Sequence, residues 1–245
     1  MGLLKDSIAN QQLQYQGNYM SALSRQVTVV DRNDVATLED MAILTGPQDS
    51  IQVLPAATYL TWGVPSLRYW ASQYGVFSIP TVELAEWISD RYLNQGRSIH
   101  EIGCGNGALA AFLKIHHSDY KQNQIAQEIA QSLGGKHAVI PKRVATKEGN
   151  AAIEQYKPAV ALAQWVTPGG GSIKTLEDTR NGYGPIYADI LENCKELVFI
   201  GNDSVHNLGL EAALPIADEE YRFDWLLSRS QHQEENFIRI WKGSL

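Results

Sequence analysis

The sequence predicts an α/β fold: a three-layer sandwich with a mostly parallel, seven-stranded sheet that ends in an antiparallel β-hairpin, preceded by a mainly helical N-terminal segment. Two observations lead to this prediction. From residue 98 onward, short apolar runs alternate with segments of helical periodicity, which is typical of a parallel sheet with crossover helices. The last two apolar runs are separated by the polar link 229–235, which is too short for a crossover helix, so we expect them to pair antiparallel.

The C-terminal part therefore contains seven expected strands with helices between them. The runs 159–166 and 197–201 are almost continuously apolar, as in strands that helices cover on both faces. The expected strands are 98–102, 115–118, 138–142, 159–166, 197–201, 221–228 and 236–242, and the expected helices are 106–114, 122–134, 149–156 and 184–194.

Residues 1–97 lack an obvious ladder of strands and form the first of two predicted parts, with 98–245 as the second. Apolar residues at helical spacing predict a helix over 81–93, and Thr81 is placed as its N-cap. The aromatic stretch 59–77 has two interpretations: it lines a pocket or lid, or it packs this segment onto the sheet.

Composition limits the classes of partner and location. The chain has a net charge of −7 and no run of five or six like charges, so the broad basic surface of a nucleic-acid-binding protein is missing and only a local basic groove would remain. Because no run of eighteen apolar residues and no secretory signal occurs, we expect no membrane span.

The cysteines and the paired histidines argue against disulfides and metal. Cys104 and Cys194 lack the spacing of a metal site, which favours a reducing compartment, and we predict a cytoplasmic protein. His116 and His117 are adjacent on an expected strand, so their side chains point to opposite faces and we expect no metal site there.

The segment 101-EIGCGNG-107 is the strongest candidate for a binding site. Three glycines between a strand and a helix let a ligand approach the backbone, where we expect free N–H groups at the helix N-terminus. Glu101 adds a carboxylate suited to an ammonium group. The spacing from Gly103 to Ala108 also satisfies the G-x-G-x-x-G/A dinucleotide fingerprint, so an NAD-dependent oxidoreductase is an alternative, although the long preceding segment and the terminal hairpin argue against it.

With its acidic residue before three alternating glycines, this segment resembles the first motif of the class I S-adenosylmethionine-dependent methyltransferases. The seven strands ending in a hairpin resemble their Rossmann-like sheet, and the resemblance covers residues 98–242. The stretches 74–84, 118–122 and 156–167 are similar to a functionally uncharacterised group of bacterial and phage methyltransferase-like proteins. The resemblance implies S-adenosylmethionine as cofactor. The acidic net charge favours a small molecule or a protein as the methyl acceptor over a nucleic acid, without excluding the latter.

The resemblance also implies where the cofactor binds. The acidic residue after the second strand, Asp119, would bond the ribose hydroxyls, although it could instead cap a helix starting near Gln122. The residues after the third strand would contact the adenine, and the candidates are Lys147, Glu148 and Gly149. The implied cofactor-binding residues are Glu101, Gly103, Cys104, Gly105, Asn106, Gly107, Asp119, Tyr120, Lys147, Glu148, Gln164 and Trp165.

The segment 164-QWVTPGGG-171 follows the fourth strand, near the expected position of the transferred methyl group. It lacks the Asp/Asn-Pro-Pro-aromatic signature of DNA amino-group methyltransferases, and the chain lacks the Pro-Cys dipeptide of cytosine C5 enzymes. Both absences argue against those classes. The segment 1–97 is expected to lie on the lid or acceptor side of the site.

The polar loop expected at 201–207 contains the candidate general base, His206, because the pKa of a free histidine lies near 6.5. Its alternative role is a structural hydrogen bond. A second hypothesis for the whole chain is a catalytically inactive methyltransferase-like fold that binds a nucleoside cofactor or a partner protein.

Overall fold

The computed structural model describes residues 36–37, 39–46, 50–119, 144–166, 168 and 184–245. The strand predicted at 138–142 and the helix predicted at 122–134 lie outside these residues, as does Tyr120.

One sheet of seven strands forms the centre of the protein, in the order β3-β2-β1-β4-β5-β7-β6. Strands β1 to β5 run parallel, and β7 pairs antiparallel with both β5 and β6. The predicted fold, a mostly parallel sheet that ends in an antiparallel hairpin, is therefore confirmed. The strands are β1 Ile99–Ile102, β2 His116–Asp119, β3 Ala145–Thr146, β4 Val160–Gln164, β5 Glu196–Asn202, β6 Glu219–Tyr221 and β7 Asn236–Lys242.

Helices cover both faces of this sheet among the described residues. They are α1 Ala56–Leu60, α2 Gly63–Tyr74, α3 Val82–Arg91, α4 Ala108–Leu113, α5 Gly149–Tyr156, α6 Tyr187–Glu192 and α7 Asp203–Ala213, with short 3-10 helices at Ala42–Leu44, Leu93–Gln95 and Gln233–Glu235. None of these helices is long and apolar enough to cross a membrane.

The alternation of side chains along the strands separates two apolar layers. Ile99 and Leu162 pack with α3 and α4 on one face. Ile102 and Phe199 pack with α5, α6 and α7 on the other. The helix α3 begins as predicted, because the Thr81 hydroxyl accepts a hydrogen bond from the Leu84 N–H at 3.1 Å.

The first part of the chain packs against the connection between β6 and β7, residues 222–235. A separate apolar cluster includes Trp70 of α2 together with Leu227 and the first residue of α4, Ala108. The Ile79 N–H donates to the Leu227 carbonyl at 3.0 Å. This contact places α1, α2 and the segment after them beside the carboxyl edge of the parallel strands, whereas α3 belongs to a layer of the sandwich. In the aromatic stretch 59–77, Trp70 is a packing residue, being completely buried.

Two predictions of secondary structure are wrong near the C-terminus. The expected strand 221–228 ends at Tyr221, because the chain turns after Phe223, whose carbonyl accepts a hydrogen bond from the Leu226 N–H at 3.0 Å. The expected polar loop 201–207 is instead the end of β5 followed directly by α7, which carries Asp203 in its first turn, where a negative charge favours the helix dipole.

The third strand is observed at Ala145–Thr146, directly before the residues proposed to meet the adenine. It pairs with the end of β2, so that Thr146 lies beside Asp119. The other predicted strands and helices in the described residues agree with the structure to within a few residues.

Candidate functional site

The glycine loop, residues 103–107, connects the buried strand β1 to α4 at the carboxyl edge of the sheet. Two of its glycines are required by both conformation and packing. Gly103 and Gly107 have φ values of +59° and +64°, a region that strains L-residues. A Cβ on Gly103 would lie 2.5 Å from the Val166 side chain, and one on Gly107 would lie 3.0 Å from the His117 ring. The protein's own packing thus accounts for part of the glycine pattern.

Four backbone N–H groups in and beside this loop have partners inside the protein, so the expectation of free N–H groups is wrong for these four. One of them is the first N–H of α4, which the Asn106 side chain caps. We therefore expect the loop to bind a ligand mainly through close van der Waals contact with its backbone, and less through these four N–H groups. The bonds are Cys104 N to Ser118 O (3.2 Å), Gly105 N to Asp119 Oδ2 (2.8 Å), Gly107 N to Cys104 O (2.9 Å) and Ala108 N to Asn106 Oδ1 (2.8 Å).

The acidic residue predicted after the second strand lies next to the loop. Asp119 is the last residue of β2 and is only 7% exposed. Its carboxylate accepts the hydrogen bond from Gly105, which fixes the centre of the loop relative to β2. The sequence thus identified two elements, a loop and a carboxylate, that the structure brings together. The alternative of a cap for a helix near Gln122 concerns residues outside the described part of the chain.

The carboxyl group of Glu101 is buried beneath the loop, with the residue 1% exposed. Its Oε1 accepts a hydrogen bond from the Gln164 amide at 2.5 Å. Its Oε2 has no hydrogen-bond partner among the described residues. Burial is the main cause that raises the pKa of Glu101, to about 8; the charge of Asp119 acts in the same direction, whereas the hydrogen bond from Gln164 and the nearby Ala110 backbone lower it. At pH 7 this carboxyl is mainly protonated.

His117 lies directly opposite Glu101 in the pairing of β1 with β2. Its Nδ1 is 3.0 Å from the Ile115 carbonyl, so Nδ1 carries the proton and donates to that oxygen. Its Nε2 is buried and has no partner among the described residues. The neighbouring His116 ring stacks on Tyr156 of α5, at a centroid distance of 5.7 Å, so the two histidines face opposite sides of the sheet, as the sequence predicts.

The residues after β3 lie at the same edge but direct their side chains toward α5. The Glu148 carboxylate accepts hydrogen bonds from the N–H groups of Asn150 and Ala151, at 3.1 Å each, and so caps this helix. The backbone N–H of Lys147 donates to the Asp119 carbonyl at 3.1 Å. The Lys147 ammonium hydrogen-bonds the Gln155 side chain. In this arrangement the Glu148 carboxylate serves the fold.

Trp165 follows β4 in an unusual backbone conformation. Its φ is +56°, and a left-handed conformation costs a bulky residue about 1–2 kcal/mol. Its N–H donates to the Ile200 carbonyl at 2.9 Å, which holds this conformation in place. The ring is 9% exposed and lies 6.3 Å from the ring of Phe77. Trp165 therefore joins the first part of the chain to the carboxyl end of β4.

His206 lies in the first turns of α7 and not in a loop, and it is only 2% exposed. Its Nδ1 accepts a hydrogen bond from the Asn202 N–H at 3.1 Å. Its ring packs edge-on against Trp165 and Phe199, at 4.9 and 5.3 Å. Burial lowers its pKa to about 4, although the Asn202 carbonyl, 3.2 Å from Nδ1, and the Trp165 backbone act in the opposite direction. This placement favours the structural alternative over a general base.

The sequence did not predict that His117 lies opposite Glu101 or that Phe77 reaches Trp165. His117 was predicted to be no metal ligand, and its position opposite Glu101 depends on strand register, which the sequence does not show. Phe77 ends the aromatic stretch 59–77, which was predicted to line a pocket or lid or to pack on the sheet, and its contact with Trp165 depends on tertiary packing.

Comparisons with known proteins give distant similarity to solved structures only. No protein-family model and no curated protein sequence matches the chain. The 16S rRNA methylase RmtB is 12% identical over 98% of this chain and 90% of that chain, with a TM-score of 0.38. A ribosomal protein L11 methylase from Lactobacillus delbrueckii is 15% identical over 66% and 78% of the two chains, with a TM-score of 0.34. A precorrin 8w decarboxylase from Methanobacterium thermoautotrophicum is 14% identical over 69% and 94%, with a TM-score of 0.34.

At such TM-scores these similarities carry no argument about this chain's activity. The fold rests on the strand order, on the antiparallel β7 between β5 and β6, and on the glycine loop after β1. On that basis the chain has a Rossmann-like fold, and its sheet is similar to that of the class I S-adenosylmethionine-dependent methyltransferases.

Proposed function

We propose that the protein is an S-adenosylmethionine-dependent methyltransferase that binds its cofactor at the glycine loop. The observation that supports this most directly is the buried, unpartnered Oε2 of Glu101 beneath that loop. A buried polar atom without a partner is costly, and a ligand with an ammonium group would satisfy it. The amino-acid part of S-adenosylmethionine carries such a group.

The remaining residues fit the other parts of this cofactor. The glycines 103, 105 and 107 allow close approach to the backbone. Asp119 would accept hydrogen bonds from the ribose hydroxyls, because it ends the neighbouring strand at the same edge. Lys147 would lie nearest the adenine, through its place directly after β3. For Tyr120, Cys104 and Glu148, cofactor contact stays a prediction.

The cofactor, when bound, supplies an electrophilic methyl group on a sulfonium ion. The chain's part is to orient an acceptor in line with that group and to exclude water. Trp165 and Phe77 would form the apolar wall for this, since both rings lie at the carboxyl end of β4. A base is needed only where the acceptor carries a proton that must leave.

We further propose an acceptor that is a small molecule or a protein, because the chain's net charge of −7 disfavours a polyanion. The first part of the chain would contribute to its binding site through Phe77. The chain has only two cysteines, Cys104 and Cys194, without the spacing of a disulfide framework, and this supports a cytoplasmic location.

Calorimetry with S-adenosylmethionine and its demethylated product tests the proposal. Wild-type protein should bind both. Asp119→Ala should weaken binding about tenfold or more, because it removes both the ribose acceptor and the bond that holds Gly105. Gly105→Val should weaken it further through strain at φ +57°. Asp189→Ala, at an exposed position of α6, is the matched control and should bind normally. Wild-type protein that binds neither ligand would refute the proposal.

A catalytically inactive binding module is the second candidate. It is favoured by one observation, the burial of His206, which leaves no assured base at the carboxyl end of β5. Production of the demethylated product in the presence of a panel of acceptors separates the two functions. The oxidoreductase alternative predicts binding of a nicotinamide dinucleotide in the same calorimeter.

A further inference from the structure

We propose that Glu101 couples ligand binding to proton release: its carboxyl group is neutral in the ligand-free protein, and an ammonium group arriving at the glycine loop expels the proton to solvent. This inference rests on the proposed function, because the ammonium group belongs to the proposed cofactor. It adds a property of the site, a pH-dependent affinity, that cofactor binding alone does not require.

The surroundings of Glu101 favour the neutral form. The residue lies in the middle of the sheet, with His117 opposite it on β2 and Leu162 opposite it on β4. Leu109 of α4 belongs to the apolar cluster on the same face. An ionised carboxylate in such a place would lack a compensating charge, and this is expensive in an apolar interior.

The charges that face Glu101 act in the same direction. On β2, Asp119 is a carboxylate, and a second negative charge beside it is unfavourable. On β4, Gln164 is neutral and donates to Oε1. The helix α4, with the sequence ALAAFL, has no titratable side chain. No described cation is among the groups that raise or lower the pKa of this carboxyl.

His117 is the other titratable group on this face of β2. Its Nδ1–H donates to the Ile115 carbonyl, and its buried Nε2 has no partner among the described residues. The proton balance is simple: the Oε2–H bond of Glu101 breaks, the carboxylate pairs with the ligand's ammonium, and the proton passes to solvent.

Calorimetry in buffers of different ionisation enthalpy measures the released proton. At pH 7, binding of S-adenosylhomocysteine or S-adenosylmethionine to wild-type protein should release about one proton. Glu101→Gln, which imitates the neutral carboxyl, should bind more weakly and release none. Glu154→Gln removes an exposed carboxylate on α5 and should behave as wild type. Binding to wild-type protein without proton release would overturn this inference and leave the proposed function intact.

The same coupling predicts how affinity depends on pH. Between pH 6 and pH 7 the affinity of wild-type protein should rise about tenfold, because one proton must leave before the ion pair forms. The affinity of Glu101→Gln should stay nearly constant over this range. Equal slopes in the two proteins would place the titrating group elsewhere and overturn the inference.

Infrared difference spectra test the ligand-free protein directly. Wild-type protein should lose a protonated-carboxyl band between pH 7 and pH 9, and Glu101→Gln should lack this band. Absence of the band from wild-type protein would overturn the inference even if the cofactor binds. If the band is present but neither cofactor form binds, the proposed function and the coupling to it both fail.

Discussion

The ends of β1 and β5 both bury polar side chains at the carboxyl edge of the sheet, but only the first leaves polar atoms without a partner among the described residues. Beneath the glycine loop, Glu101 Oε2 and His117 Nε2 are both buried and unpaired. At the end of β5 and the start of β7, Asn202 and Asn236 are completely or almost completely buried, and both are hydrogen-bonded.

The hydrogen bonds around Asn236 form a network that fixes the connection 222–235. The Asn236 amide donates to the Leu226 carbonyl at 2.7 Å, and its oxygen accepts from Asn202 and from Ser228 at 2.9 and 2.8 Å. The Asn202 amide also donates to the His232 carbonyl at 2.8 Å. These polar groups satisfy one another and so belong to the scaffold.

This difference is a physical contrast between these two places at the sheet edge; buried polar atoms without a partner also occur elsewhere, as at His100 Nδ1 and Ser78 Oγ. A buried polar group with all its bonds made inside the protein stabilises one arrangement of the chain. A buried polar group with a bond still to make costs stability until something else binds there. The unpaired atoms at the end of β1 support the proposal that a ligand binds there, and the following experiments test it.

The largest expected effect concerns the stability of Glu101→Gln at high pH. The pKa of Glu101 is about 8 in the folded protein against 4.5 in the unfolded chain, so the folded state holds more protons between these pH values. The stability of wild-type protein should therefore be full below pH 4.5 and fall as the pH rises through 8, by about 5 kcal/mol for this group. Urea unfolding at pH 5, 7 and 9 should show the variant gaining on wild type as pH rises.

The exposed control Glu154→Gln should follow the wild-type curve at each pH. Parallel curves for wild type and Glu101→Gln would mean that the Glu101 carboxyl is ionised in the folded protein. The ends of β1 and β5 would then no longer differ in this respect.

The second-largest effect concerns Asn236, at the start of β7, whose buried amide is hydrogen-bonded within the protein. Asn236→Ala should destabilise the protein by about 3 kcal/mol, because it leaves the buried Leu226 carbonyl and Ser228 hydroxyl without their hydrogen-bond partner. Urea unfolding measures this loss. Affinity for the cofactor should change little under conditions where the variant is folded. The exposed Asn94→Ala on the other side of the sheet is the matched control, with an expected change below about 0.5 kcal/mol.

The sequence was sufficient for the features that depend on neighbours along the chain. The strand β1, the glycine loop and the cap at Thr81 follow from local patterns of apolar residues, glycine and a hydroxyl side chain. The place of Asp119 follows from its position at the end of the next strand. These predictions needed no knowledge of distant contacts.

The sequence was insufficient where register or burial decides the role of a residue. The pairing of Glu101 with His117 depends on the alignment of β1 with β2. The helix α7 begins with the polar run 203–207, which has the composition of a loop, and only packing of its later residue Leu210 reveals the helix. For the same reason His206 looked exposed in the sequence and is buried in the structure.

The third effect tests whether His206 belongs to the scaffold. Its pKa is about 4 in the folded protein against 6.5 in the unfolded chain, so its contribution to stability is full above pH 6.5 and is lost as the pH falls through 4. By pH 5 the loss should be about 2 kcal/mol. Proton NMR of the imidazole should show no titration of His206 above pH 5. A midpoint near 6.5 would instead indicate an exposed ring and restore the general-base hypothesis.

The smallest effect concerns the surface ion pairs that connect β6, β7 and the start of α7. Arg222 contacts Asp203 and Glu220 at 2.6 and 2.7 Å, and Arg239 contacts the same two carboxylates at 2.8 and 2.7 Å. Because the Arg222 side chain is 40% exposed, Arg222→Ala should cost only about 0.5 kcal/mol. The loss should shrink further in 1 M salt, since the pairs are screened there. A loss several times larger, independent of salt, would show that these surface charges, and not the buried amides around Asn236, hold β6, β7 and α7 together.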